Sequence, residues 1–148
     1  MRSNGHLRLA QAGPIDGLSF VPSGEAGKRI AHPRSGFDMY FPARWERLAL
    51  SRIRDARART VDPDSLKLAV DADLTGRRIV VFDDTWATGA SAQSVSVVLK
   101  RTGAAFVSIV VMGRWVNSGW TPTQRFFRDH PRVEWTGAVC PVSSAACS

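Results

Sequence analysis

Apolar and polar positions along the chain group into segments that predict alternating strands and helices. Short apolar runs at Gly17–Val21, Ile79–Phe82 and Phe106–Met112 have the length and composition of buried strands. The segment Ala90–Thr102 has helical spacing and ends at Gly103, the residue type that most often follows a helix. Since a strand, a helix and a strand in this order form a parallel βαβ unit, the pattern predicts an α/β fold: a Rossmann-like parallel sheet flanked by helices.

Other segments carry less regular patterns. Apolar residues recur at helical spacing in Ala43–Ala58, which predicts an amphipathic helix there. Leu66–Val70 fits either a short strand or a helical turn. Trp115–Gly137 is rich in Trp, Phe and Arg and has no clean period, although Val133–Thr136 within it fits an edge strand.

The length and composition are those of one soluble globular domain. A chain of 148 residues, 44% of them hydrophobic, is long enough for a single core, and we expect flexible ends at about residues 1–13 and 140–148. The sequence has neither an apolar run of bilayer length nor the apolar core of a secretion signal, so we expect a cytoplasmic protein without a membrane partner. Cys140 and Cys147 lack the spacing of a zinc site and are interpreted as free thiols.

The charge is strongly basic, which favours anionic partners. Lys and Arg number 20 against 13 Asp and Glu, a formal net charge of +7. Such a field attracts nucleic acid and phosphorylated metabolites alike. The basic run Arg44–Arg59 fits both a solvated helix face and an anion-binding face.

The candidate chemistry lies in Ile79–Ala92, which reads I-V-V-F-D-D-T-W-A-T-G-A-S-A. A tight turn followed by a helix start presents backbone N–H groups and the positive end of the helix dipole, which together form an anion site. We assign this site to five residues, Ala87, Thr88, Gly89, Ala90 and Ser91. Gly89 allows an anion oxygen to approach the backbone, and the two hydroxyls add donors.

The adjacent carboxylates suit a different part of the same ligand. Asp83 and Asp84 are acceptor-only when ionised, so they pair with vicinal sugar hydroxyls. A phosphate beside a diol describes a ribose 5-phosphate. Other acidic or phosphate-binding motifs fit less well: a P-loop has a lysine after its glycines, a phosphoaspartate phosphatase has the pattern D-x-D, and a receiver domain has no use for a phosphate-binding turn. The remaining structural alternative is a strand that merely ends in solvated aspartates.

These residues resemble the PRPP-binding signature of the type I phosphoribosyltransferases. The wider match, D-L-T-G-R-R-I-V-V-F-D-D followed by T-G-A-S-A, is most similar to the phosphoribosyltransferase domain of the competence protein F family. It covers about residues 59–114 and, more loosely, residues 17–36. Two departures stand out: Ala87 replaces a threonine common in the family, and the zinc-binding cysteines that precede the domain in many members are absent.

The resemblance implies an enzyme that displaces pyrophosphate from C1 of PRPP with a nitrogen acceptor such as a nucleobase. It assigns the ribose hydroxyls to the catalytic pair Asp83 and Asp84. Mg²⁺ would be held through substrate and water near this pair, with no direct protein ligand. The fold implied is the type I phosphoribosyltransferase fold with a reduced hood over the acceptor, as a homodimer.

A second loop completes the implied site. Residues after the first strand resemble the pyrophosphate loop in position, namely Ser23, Gly24, Gly27, Lys28 and Arg29. Plain surface residues are the alternative reading of this loop. The segment His32–Tyr40 could close over the site, and His32 is a candidate general base.

The acceptor side and the activity itself stay open at this point. Trp115, Trp120, Phe126 and Phe127 fit a hood that stacks a base, or alternatively core or a dimer interface. Trp86 fits a ribose shelter or a support beneath the turn. The basic charge also fits a non-catalytic protein of this fold that senses PRPP or binds nucleic acid.

Overall fold

A four-stranded parallel sheet is the centre of the molecule, in the strand order β2-β1-β5-β6. The computed structural model describes residues 13–22, 36–55, 59–117 and 119–129. The strands of this sheet are β1 (Gly17–Phe20), β2 (Glu46–Leu48), β5 (Arg78–Trp86) and β6 (Phe106–Arg114). A separate antiparallel pair contains β3 (Leu50–Arg52) and β4 (Leu66–Leu68), and the helices are α1 (Ala90–Arg101) and α2 (Thr121–Asp129).

Helix α1 covers one face of the sheet. Its apolar residues at helical spacing, Ala92, Val95 and Leu99, are fully buried against a cluster that includes Ile79 and Val81 of β5. After α1 the chain reverses at a glycine with a positive φ of 106°. The strand, helix and strand at residues 78–114 therefore form the predicted βαβ unit.

Aromatic rings cover the opposite face of the sheet. The Phe82 ring of β5 has its centroid 5.2 Å from that of Phe41, 5.6 Å from Phe37 and 5.7 Å from Phe20. Trp45 extends this cluster and is 8% exposed. Phe37, Phe41 and Trp45 thus pack on this face of the sheet, whereas Met39 and Tyr40, in the described part of the predicted closing segment, are exposed.

The predicted α/β class and its parallel sheet are confirmed, with two strands longer than predicted. β5 and β6 run to Trp86 and Arg114, beyond the last apolar residue of each run. The Leu66–Val70 segment contains the strand β4 at Leu66–Leu68, and α2 lies where the sequence showed no period. No helix in the described ranges has the length and apolarity that a membrane span needs.

The predicted amphipathic helix at residues 43–58 is wrong. This segment contains β2, which pairs in parallel with β1 through Gly17 and Glu46, and β3, which pairs with β4. Trp45 and Leu48 belong to the clusters on opposite faces of the sheet, as strand alternation requires. Pairing with distant strands overrides the local helical spacing. The predicted edge strand at residues 133–136, both cysteines and residues 56–58 lie outside the described residues.

Candidate active site

The sheet has a topological switch point between β1 and β5. From β1 the chain continues first to β2 on one side and later to β5 on the other. Pairing of β1 with β5 ends at Phe20 and Phe82, where the Val21 N–H donates to the Phe82 carbonyl at 3.0 Å. Strands that separate in this way leave a crevice beyond their carboxyl ends, the usual ligand position in open parallel sheets.

The acidic pair lies at this crevice, but within β5 and not at the end of it. Beyond Phe82 the strand continues along β6, with Asp83 opposite Val111, while β1 has already ended. By alternation Asp83 takes the helix-covered face and Asp84 the aromatic face. Asp83 is 8% exposed and Asp84 is half-buried. Asp84 is therefore the more accessible carboxylate of the two.

The turn between β5 and α1 has the geometry of an anion site. Gly89 is the N-cap of α1 with φ 77° and ψ 0°, and it supplies no side-chain oxygen to the helix start. The first N–H groups of a helix have no acceptor within it. In this turn Thr88 Oγ1 accepts from the Ala90 N–H at a long 3.3 Å, and no acidic residue occupies the first turn.

The predicted residues of the turn are contiguous, and they differ in exposure. Ala87 and Thr88 are exposed, Ser91 is half-buried, and Gly89 and Ala90 are buried. The turn therefore exposes the Thr88 hydroxyl and the backbone at Ala87 and Thr88 to solvent, whereas Gly89 and Ala90 are buried.

Trp86 packs beneath this turn, which selects one of the two alternatives given by the sequence. An ideal Cβ placed on Gly89 would lie 2.6 Å from Trp86 Cε2 and closer still to Cζ2 and Cη2. The same indole packs against the helix-side core cluster. Gly89 is therefore required by its neighbour and by its positive φ, in addition to any anion that approaches it.

A buried polar network behind α1 fixes the position of the helix start, and no local pattern in the sequence indicates it. Ser94 Oγ donates to the Ala90 carbonyl at 2.6 Å and accepts from the Asp62 N–H at 2.8 Å. Ser94 is 3% exposed and Asp62 is 8% exposed. The first turn of α1 is thus tied to a loop 32 residues earlier in the chain.

Two arginines complete this network. The Asp62 carboxylate accepts two hydrogen bonds from Arg54, each 2.8 Å long. Arg52 is 8% exposed and donates to Ser65 Oγ at 3.1 Å. Burial lowers the pKa of Arg52, and the nearby carboxylate of Asp62 opposes that shift. The guanidinium keeps its charge at neutral pH, because arginine titrates far above it.

The carboxyl end of β6 lies next to the turn. Arg114 pairs with Trp86 across the strands, and the Trp115 N–H donates to the Trp86 carbonyl at 3.0 Å. Trp115 is 59% exposed and Trp120 is 61% exposed, so neither indole is core of the described chain. Phe126 is also exposed, and its ring centroid lies 5.8 Å from that of Phe127.

The structure leaves part of the predicted site undescribed. The pyrophosphate-loop candidates Ser23, Gly24, Lys28 and Arg29, and also His32, lie outside the described residues, which stop at Pro22 beside the crevice. Within the described ranges, no group of three or more His, Cys, Asp or Glu side chains could hold a metal ion.

Comparison with known proteins gives structural likeness at low identity. No protein-family model matches the chain, and no curated protein matches it. Phosphoribosylpyrophosphate synthetase from Mycobacterium smegmatis is 16% identical with a TM-score of 0.49, over 78% of this chain and 33% of the synthetase. Hypoxanthine phosphoribosyltransferase from Staphylococcus aureus is 12% identical in each of two crystal forms, with a TM-score of 0.48, over 77% of this chain and 69% of the transferase.

These likenesses assign the chain no family and no activity, since the TM-scores are below 0.5 and the identities below 25%. The chain also spans only 33% of the synthetase.

Proposed function

We propose that this protein binds PRPP and transfers its 5-phosphoribosyl group to a nitrogen acceptor, with release of pyrophosphate. The observation that carries the proposal is the junction of β5 and α1 at the switch point of the sheet. There an uncapped helix start led by Gly89 directly follows a strand that bears Asp83 and Asp84. The resemblance of this stretch to the phosphoribosyltransferase signature supports the same assignment.

The turn Ala87–Ser91 binds the 5-phosphate in this proposal. Backbone N–H groups at the start of α1 donate to the phosphate oxygens, and the helix dipole favours the negative charge. The hydroxyls of Thr88 and Ser91 add donors at the exposed side of the turn. The absence of an acidic residue from the first turn of α1 removes the repulsion that would otherwise oppose binding.

The carboxylates orient the ribose. Asp84 is the more accessible carboxylate and accepts hydrogen bonds from the ribose hydroxyls. The buried Asp83 adds negative charge near these hydroxyls from the helix side of β5. Hard carboxylate oxygens fit a Mg²⁺ ion held through water and substrate near this pair. When bound, Mg²⁺ would neutralise charge on the pyrophosphate.

In the reaction the acceptor nitrogen forms a bond to C1 as the bond from C1 to the pyrophosphate oxygen breaks. The bonding electrons leave with pyrophosphate, and the ribose passes through an oxocarbenium-like transition state. This chemistry needs alignment and charge stabilisation and no covalent nucleophile. We assign the pyrophosphate to the loop that contains Ser23, Gly24, Lys28 and Arg29, and a planar acceptor to the exposed Trp115 next to Trp86.

Catalysis is tested by pyrophosphate release from PRPP and Mg²⁺ with a panel of nucleobases. Asp84→Asn should preserve the fold and weaken the binding of PRPP by about 1.5–3 kcal/mol per lost charge-assisted hydrogen bond. This corresponds to a decrease in affinity of roughly tenfold to a hundredfold. Asp71→Asn, at an exposed aspartate of the loop before β5, is the matched control for the loss of one negative charge. Equal affinity of Asp84→Asn and wild type for PRPP in calorimetry would refute the ribose assignment.

A basic and aromatic surface at the carboxyl end of β6 favours a second candidate, a PRPP-sensing or nucleic-acid-binding protein without turnover. Arg114 and Trp115 are exposed at this end, and Trp120 and Arg125 are exposed in the segment that follows it in the chain. Aromatic side chains stack on bases, and cations contact phosphates. Binding of single-stranded DNA or RNA that weakens steeply with salt, together with no pyrophosphate release, would favour this candidate over the enzyme.

A further inference from the structure

The indole of Trp86 fills the inner side of the anion turn. Two residues, Ala87 and Thr88, separate Trp86 from Gly89, and the chain between them bends back so that the six-membered ring lies where a side chain at position 89 would begin. Gly89 at this point has a φ of 77°. The turn therefore wraps around a side chain supplied by the last residue of β5.

This packing connects the turn to two rigid elements. The Trp86 backbone is held on β6 through Arg114 and through the hydrogen bond from the Trp115 N–H. Its ring contacts the helix-side core cluster on which α1 also lies. Any rotation of the Gly89 peptide that brought its Cα closer to the ring would meet this aromatic surface.

We propose that Trp86 is a positioning residue that fixes the left-handed conformation at Gly89 and so directs the N–H groups of the turn at the 5-phosphate. The inference rests on the proposed function for the identity of the anion. The direction of backbone donors decides how well an anion site works, and a site held in advance loses less entropy on binding. Trp86 thereby sets the affinity for the 5-phosphate without touching it.

The chain supplies a matched control for the conformational part of this inference. Gly76 also has φ 77°, but an ideal Cβ there meets nothing within 4 Å. Gly76→Ala therefore measures the strain of alanine at this φ alone, and Gly89→Ala measures the same strain plus the collision with Trp86. We expect Gly89→Ala to lower Tm by at least about 4 °C more than Gly76→Ala.

The excess should disappear when the ring is removed. Trp86→Val keeps a residue suited to a strand and removes the indole, so the two alanine substitutions should then lower Tm about equally in that background. Trp86→Phe removes the outer edge of the indole that lies against Gly89 but keeps more of the packing, and serves where Trp86→Val lowers stability too far to measure.

The functional part is tested with ligands that divide the site. We expect Trp86→Phe and Trp86→Val to lower the affinity for ribose 5-phosphate and for PRPP roughly tenfold or more, as measured by calorimetry. Binding of pyrophosphate, which lacks the 5-phosphate group, should be unchanged. General loosening of the fold would weaken all three ligands alike, so this selectivity separates positioning from stability.

The outcomes distinguish this inference from the proposed function. Equal penalties for Gly89→Ala and Gly76→Ala in the wild-type background, or normal ribose 5-phosphate affinity in a folded Trp86→Val protein, would overturn the role of Trp86 and leave the proposed function standing. A wild-type protein that binds none of the three ligands would overturn both.

Discussion

Replacement of Ser94 should destabilise the protein measurably, because its buried hydroxyl both donates and accepts a hydrogen bond. It donates to Ala90 in the first turn of α1 and accepts from the Asp62 N–H, and Ser94 is only 3% exposed. Ser94→Ala would leave the Asp62 N–H buried without this acceptor. Leaving one buried polar group unsatisfied costs about 1–3 kcal/mol.

A second serine of the same helix calibrates the measurement. Ser96 is half-buried, and its Oγ donates to the Ala92 carbonyl at 2.9 Å, a bond within the helix. Ser96→Ala should therefore change stability by about 0.5 kcal/mol or less, since alanine also has the higher helix propensity. The same gain in propensity applies at both positions, so the difference between the two variants isolates the bond to Asp62.

Urea unfolding followed by far-UV circular dichroism gives the comparison. With m of about 2 kcal/mol/M, a difference of about 1–3 kcal/mol lowers the urea midpoint of Ser94→Ala by about 0.5–1.5 M relative to Ser96→Ala at unchanged m. Amide hydrogen exchange should also show faster exchange of the Asp62 N–H in Ser94→Ala alone. Equal midpoints for the two variants, with the Asp62 amide still protected, would refute the reasoning.

Three further predictions concern other parts of the chain. Replacing Lys28 and Arg29 with alanine should weaken PRPP much more than ribose 5-phosphate in calorimetry, because both cations are assigned to pyrophosphate; equal weakening would contradict the assignment. Ser19→Ala should leave the free energy of unfolding unchanged or raise it, since the fully buried Ser19 hydroxyl has no hydrogen-bond partner among the described residues. A decrease of about 1 kcal/mol would instead indicate that the hydroxyl has such a partner. Hydrogen bonds from the side chain and then the backbone of Thr75 lower the pKa of Asp73 below the ordinary 3.8. Any stability that the wild type has over Asp73→Asn is therefore present above pH 3.8 and is lost as the pH falls through the lower pKa of the folded state. A stability difference that grows towards acid pH would contradict this.

The sequence predicted those parts of the fold that depend on local pattern. Ile79–Phe82 is apolar on both faces because the sheet is covered on both, and Gly103 ends a helix where a positive φ is needed. The prediction ended this strand at Phe82, because the polar Asp83 breaks the apolar run. In the structure β6 supplies pairing partners as far as Trp86, which a single strand's composition does not reveal.

The remaining features depend on contacts between distant residues. Helical spacing in residues 43–58 arises because Trp45 and Leu48 serve opposite faces of the sheet, and only the position of β1 decides between strand and helix. The bond between Asp62 and Ser94 leaves no local signal either. The turn at Gly89 was predicted, but one reason for its glycine, the ring of Trp86 below it, required the structure.

The central position of β1 has a consequence for the order of folding. β1 pairs with β2 about thirty residues later and, through Gly17 and Ile79, with β5 more than sixty residues later. The unit of β5, α1 and β6 instead closes within residues 78–114. Because closing a longer loop costs more entropy before any contact forms, this unit is the natural nucleus, and β1 joins it afterwards. The crevice between β1 and β5 is then among the last features of the native state to be completed, after the turn beside it has already formed.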